Sequence, residues 1–388
     1  MSNFRLIGRE YETTHVFQSN TEQNPMQRRQ FIAAGAIGAV SAVSQSSAFC
    51  MNDTGGKRIP LGLDGHSMRS MRFKKWKATQ LIEFAAEQTL DAALFNGLHY
   101  FESLEASYLK GLKDLADRHE IKLYTGAGGI ANNGKQFKDT WGTAEELLTT
   151  GIRVAKTLGS PVVNVRIGSI DDRFLDGGIQ PRIDEAVRVL KASSSRARDA
   201  GIKFGFENHA ADLRSEELVT LVEEVGTDVC GLMLDPGNGL WAMEDPMKHL
   251  ETLAPYTVCN SIRDYTVWPS EDGAIFQWMA VGEGMMDVPK YVDTLASANP
   301  GMPIFVESIS NSARPIPYLT REYWKAYPNL DASQIIDFLK LVRKGKPAKI
   351  DKPAEGQDEK TFDQEHERNE FLRSIAYLRE HCGAGLKS

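Results

Sequence analysis

Positive charge is in short supply in this chain of 388 residues: 45 lysines and arginines face 52 aspartates and glutamates, for a net charge of -7. No basic stripe with interleaved aromatics occurs, and the clusters at 69–77 and 340–349 are short enough to be solvated faces. Both facts argue against a nucleic-acid partner or an anionic membrane surface. Cysteine is scarce as well. Cys50, Cys230, Cys259 and Cys382 are too widely spaced for a zinc finger or a disulfide framework. A long hydrophobic run is missing too: the apolar stretch after Phe31 falls short of the roughly 20 residues that span a bilayer. The chain also lacks a Gly-x-Gly-x-x-Gly turn after its first strand-like run, which passes into Gly65-His66-Ser67. An open dinucleotide-binding sheet usually carries that turn.

What is present begins with a leader. Paired Arg28 and Arg29, then Phe31, a weakly apolar Ala/Gly/Val run and Ser46-Ser47-Ala48 resemble a twin-arginine export signal. Residues 1–50 are therefore expected to be a leader, 51–58 a linker, and the mature protein exported and periplasmic with no membrane span.

From Ile59 onward two textures alternate. Short β-rich runs occur at 59–65, 91–95, 121–126, 160–168, 202–208, 230–235, 257–264 and 302–308. Between them lie stretches with apolar residues every three or four positions, as in SEELVTLVEEVG. Gly159, Gly201 and Gly226 sit just past three of these helices, at the place of a left-handed C-cap. Strands separated by helices run parallel. The expected fold is α/β, a (βα)8 TIM barrel over 59–345. A helix near 332–344, a polar linker and a last helix at about 362–381 follow, making 346–388 a C-terminal helical extension. Phe371, Ile375 and Leu378 are its expected docking face.

The C-terminal ends of barrel strands form the active-site face. The side chains expected there are His66, Asn96, His99, Arg166, Glu207, His209, Asp235, Arg263, Asp264 and Glu307. Glu207, Asp235 and Glu307 each follow an apolar run and converge on one axis. Three ionised carboxylates cannot share a small site without a compensating charge, and a divalent cation is an economical one. His209 alone is more often structural than a ligand, and core packing is the safer reading for Trp241, Trp268 and Trp278 singly.

Glu207, the LDPGN stretch at 234–238, the strand ending in Arg263-Asp264, then VGEGMMDV and FVES together resemble the xylose isomerase-like barrel family. The family includes sugar isomerases and epimerases as well as dehydratases. The resemblance implies that Glu207 and Glu307 bind metal and exchange protons with substrate, that Asp235 is a metal ligand, and that Asn238 contacts metal-bound water or substrate. His66, Arg166, His209, Arg263 and Asp264 would be substrate contacts. The fourth metal ligand in the family is a histidine in an H-x-K/R-D stretch; here that place is Ser261 in Ser261-Ile262-Arg263-Asp264. Three outcomes stay open: weaker binding with water in the gap, replacement by His209 or His66, or loss of the metal. The expectation is one retained divalent ion (Mn, Mg, Co or Zn) in an altered site.

The implied chemistry is proton abstraction next to a carbonyl, an enediolate, and return of the proton to the neighbouring carbon or the opposite face. The leading expectation is a metal-dependent sugar or keto-sugar isomerase or epimerase. The alternatives are a lyase (dehydratase or decarboxylase) on an oxidised sugar or sugar acid, and a non-catalytic sugar-binding barrel. The expected partner is a small-molecule sugar or sugar acid, and homo-oligomers are common among such barrels.

Overall fold

The structure, a computed structural model, describes residues 58–74, 76–309 and 311–387. The leader and Cys50 lie outside the described residues. Strands β1 Leu61–Asp64, β2 Ala92–Phe95, β3 Lys122–Gly129, β4 Val162–Arg166, β5 Lys203–Glu207, β6 Cys230–Leu234 and β7 Thr257–Asn260 pair in parallel in chain order. Strand β10, Ile304–Val306, pairs with β1. A bridge between Ile262 and Val306, with the Ile262 amide on the Phe305 carbonyl at 2.7 Å, joins β7 to β10 and brings the ring round. The eight runs expected from sequence are these eight strands.

Alternate residues on each strand face in and out. Leu61, Leu63, Ala93, Phe95, Phe204 and Phe206 join the large core under the helices. A second cluster, Ala92, Leu94, Tyr124, Val162, Met233, Cys259 and Phe305, fills the barrel interior, with the Tyr124 and Phe305 rings 4.9 Å apart. This apolar plug is the floor on which the polar strand ends stand.

The outer helices are α1 Ala78–Glu87, α2 Ala106–Arg118, α3 Ala144–Leu158, α4 Gln180–Ala200, α5 Ser215–Val225, the short α6 Pro236–Trp241, α7 Pro246–Leu253 and α8 Val288–Ala298. Thr143 caps α3 in a capping box with Glu146. Gly159 and Gly201 take the left-handed conformation after α3 and α4. Gly226, at φ 113° and ψ 123°, is a differently shaped turn that also needs glycine.

The eighth helical place is filled by a late element. Helix α9, Ile336–Lys344, lies against β8, Asp264–Ser270. Helix α10, Glu359–Cys382, packs against α8, β10 and the 3-10 turn after β1 (65–74). Phe371, Ile375 and Leu378 are buried as expected, and the Phe371 ring sits 5.8 Å from Phe84 of α1. The tail then ties to the bottom of the barrel: the Gly385 amide donates to the Ile59 carbonyl at 2.7 Å and the Leu386 amide to Asp91 at 2.9 Å. No helix among the described residues is long and apolar enough to cross a membrane.

Strands β8, β9 Gly273–Met279 and β11 Ala313–Ile316 form a separate antiparallel sheet of three. The sequence reading placed none of it. It is built from a hairpin inserted after β7, which carries Trp278, and a strand that follows β10, which carries Arg314; Tyr265, Val267 and Phe276 are buried.

Candidate active site

Five consecutive strand ends around the ring carry the acidic half of the rim: Glu207 ends β5, Asp235 follows β6, Ser261 follows β7, Glu307 follows β10 and Asp64 ends β1. All five are buried. Buried carboxylates need partners, and all four have them.

Asp235 is the N-cap of α6 and accepts the Gly237 amide at 2.9 Å. Asn238, through its side-chain amide, donates to the other oxygen at 2.8 Å. The Arg263 guanidinium completes the set, with Nε 3.0 Å from one Asp235 oxygen and Nη2 on the other. The same Nη2 lies 3.2 Å from Glu307. Arg263 is itself buried, its guanidinium 4.1 Å from the centre of the Trp278 ring. Glycine at 237 makes this possible: a Cβ there would come 2.8 Å from Arg263 Nε and 2.3 Å from Trp278 Nε1.

Glu207 accepts from the Asn96 side-chain amide at 3.0 Å and faces Arg166 at 3.5 Å. Asp64, which the sequence reading passed over, accepts the Ser261 hydroxyl at 2.9 Å and the His66 amide at 2.8 Å. The signal was present in sequence: LGLD ends an apolar run in aspartate as LMLD does.

Four carboxyls therefore meet two guanidiniums, an excess of two negative charges if all ionise. Burial and mutual repulsion therefore push these carboxyls toward their neutral forms. Burial, then the charge of Glu307, pushes Asp64 well above the ordinary carboxyl range. Burial raises Glu207 against the pull of Arg166, and raises Glu307 against the pull of Arg263. Burial likewise lifts Asp235, to about 6, with Arg263 opposing. Although burial alone would favour its neutral form, Asp235 and Glu307 hold Arg263 more firmly protonated than an ordinary arginine.

The remaining expected contacts divide. His209 is half-buried, its Nδ1 on the Gly168 carbonyl, and burial followed by the charge of Arg166 keeps its imidazole neutral. The Nδ1–H tautomer leaves Nε2 as an acceptor. His66 stands exposed at the mouth, and desolvation, then the positive charges of Arg69, Arg263 and Arg166, lower the pKa of its imidazole. Asp264 does not fit the expected substrate contact. Its carboxylate is spent on the amides of Tyr265, Gly282, Gly284 and Met286 at 2.7–3.1 Å, which fasten the VGEGMM loop. Arg314 on β11 stacks over Trp241 and Trp278 at 5.5 and 5.2 Å.

The other half of the rim opens into a cavity of about 420 Å³ lined by Asn96, His99, Lys135, Gln136, Lys138 and Arg166, among others. One wall of the site is thus acidic and buried, and the other basic and open.

A divalent ion on Glu207, Asp235, Ser261 and Glu307 does not fit this arrangement. The guanidinium of Arg263 bridges two of the three carboxylates, Asp235 is fully bonded, and the Ser261 hydroxyl is committed to Asp64. Neither His209 nor His66 forms with the rim carboxylates a group placed to hold an ion. Among the described residues no group of three acidic, histidine or cysteine side chains is placed to hold an ion.

Comparison with known proteins gives the same frame. Over 207 residues the chain is 24% identical to the 3-oxo-isoapionate decarboxylase of Pectobacterium atrosepticum, covering 52% of this chain and 68% of that enzyme. It is 34% identical over 89 residues to the uncharacterized protein YihM of Escherichia coli, a match that spans 27% of that protein. Among solved structures, a D-psicose 3-epimerase crystallised in the presence of D-fructose superposes with a TM-score of 0.54 at 16% identity, over 84% of this chain and 100% of that one. At that identity the likeness is one of fold. With residues 82–340 matching its family description, the chain belongs to the xylose isomerase-like TIM barrel family.

Proposed function

We propose that the protein is an exported enzyme that moves a proton on a small sugar, keto-sugar or sugar acid, acting as an isomerase or epimerase through an enediolate. The observation that carries this reading is the pair of buried glutamates, Glu207 and Glu307, at strand ends on one rim, both with carboxyls raised by burial. A carboxyl that burial shifts toward its neutral form is suited to serve as base or acid. One ionised glutamate takes the proton from the carbon beside the carbonyl. The electron pair moves to the carbonyl oxygen. The other glutamate, protonated, gives a proton to the adjacent carbon for isomerisation or to the opposite face for epimerisation. Asn96 and Arg166 fix Glu207, and the Arg263 contact fixes Glu307. The basic cavity beside Arg166 suits the far hydroxyls or a carboxylate of the substrate.

That cavity, with the decarboxylase relative, also favours a second reading: loss of carbon dioxide from a 3-keto acid leaves the same enediolate, which needs only a single protonation. Product analysis by NMR with ketoses, aldoses and keto-sugar acids separates the two. Glu207→Gln and Glu307→Gln should each lower the isomerase or epimerase rate by about 10²–10⁴-fold. Decarboxylation would retain a dependence on one glutamate alone. Binding of a sugar with no turnover of any candidate would reduce the protein to a sugar-binding barrel.

A further inference from the structure

The enediolate expected above carries a negative charge into a rim that already has an excess of carboxyls, so some cation must meet it. We propose that the Arg263 guanidinium, clamped between Asp235 and Glu307, is the fixed cation of this site in place of a divalent ion, and that its Nη1 N–H groups hold the substrate's oxyanion. Three observations carry the assignment. Nε and Nη2 are used on the two carboxylates, whereas Nη1 is buried and has no hydrogen-bond partner. An unpaired N–H in such a place is costly unless a ligand completes it. The guanidinium is seated by design of the surroundings: the Trp278 face lies against it, and the missing Cβ of Gly237 leaves its path open. Finally, the serine at 261, where the resemblance calls for histidine, bonds to Asp64 and contributes nothing toward an ion.

The chemistry balances without a metal. The C–H bond breaks toward a glutamate carboxylate, its electron pair moves to the carbonyl oxygen, and that oxygen's charge is held by Nη1–H donation. Arginine keeps all its protons throughout, and the proton returns to carbon from a carboxyl. A preorganised donor of this kind acts where charge develops, inside a water-poor site. Its planar fork can hold two carboxylates and still keep a third nitrogen unpaired, which lysine cannot do.

The test is equilibrium dialysis of the mature protein against Mn²⁺, read by electron paramagnetic resonance. The wild type should bind no manganese, and thermal unfolding should be unmoved by Mn²⁺ or chelator. The double variant Ser261→His with Arg263→Ala should bind about one equivalent, because it frees Asp235 and Glu307 and restores the imidazole. Arg263→Lys should lower kcat by about 10²–10³-fold with little change in KM, and Mn²⁺ should not restore it. One equivalent of manganese on the wild type, lost in Glu307→Gln, would overturn the proposal. The proposal rests on the proton-transfer reading, yet the two fail separately. Turnover only in the presence of Mn²⁺ would keep the reaction and remove Arg263 as the cation. Absence of both metal and turnover would leave Arg263 as the cation and remove the reaction.

Discussion

Arg166 and Arg263 divide the labour of charge at the rim, and their substitutions should differ in kind. Arg166 lies on the open side, 3.5 Å from Glu207, whose carboxyl is raised by burial and pulled back by Arg166. Removing that positive charge disfavours the ionised form. Arg166→Gln should therefore raise the Glu207 carboxyl further and move the acid limb of kcat/KM to higher pH, which a pH–rate profile reads directly. A limb that stays in place, or moves to lower pH, would place the essential base elsewhere. At this scale much of the site was legible. Glu207, Asp235 and Glu307 announce themselves because a carboxylate at the end of an apolar run has to be met by something. Asp64 has the same mark and was hidden by His66 two residues on. Arg166 ends an apolar run and is legible as a partner for a carboxylate; the seat of Arg263 against Trp278 was not legible, because the β8–β9 hairpin is what brings the two together. Asp264 was misread for a related reason: its four amide donors come from a loop whose path sequence spacing does not reveal.

Among the elements, the eight barrel strands follow from their composition. Short apolar runs separated by periodic helices leave one topology open. The harder element is α10. Its polar, charged sequence spreads apolar residues thinly, yet Phe371, Ile375 and Leu378 mark its docking face, and the structure places it against α8, β10 and α1. Phe371 is fully buried there. Phe371→Ala should cost about 3–5 kcal/mol, the range for deleting a buried aromatic, in urea unfolding followed by circular dichroism. A loss below about 1 kcal/mol would mean that α10 is only loosely attached, since exposed sites change stability by no more than about that much. Gly237→Ala acts at the other end of the fold. Its Cβ would collide with Trp278 and crowd Arg263, so activity should fall far more than thermal stability does.

Across the whole molecule, an eight-stranded barrel carries a rim that is acidic on one side and basic on the other. The apolar plug of Tyr124, Met233 and Phe305 closes the interior below. The three-stranded sheet brings Trp278 and Arg314 to one side, and the basic cavity opens on the other. Four buried carboxyls meet two guanidiniums, and burial pushes the carboxyls toward their neutral forms, a setting suited to moving protons on carbon. The account stands on that chemistry proceeding with the cation already built into the chain. It is tested most directly by incubating chelator-treated wild-type protein with candidate ketoses and keto-sugar acids in D₂O and following the C–H signal beside the carbonyl by NMR. The account predicts deuterium at that carbon for at least one sugar, undiminished by chelator and lost in Glu307→Gln. Exchange that vanishes with chelator and returns with Mn²⁺ would contradict it.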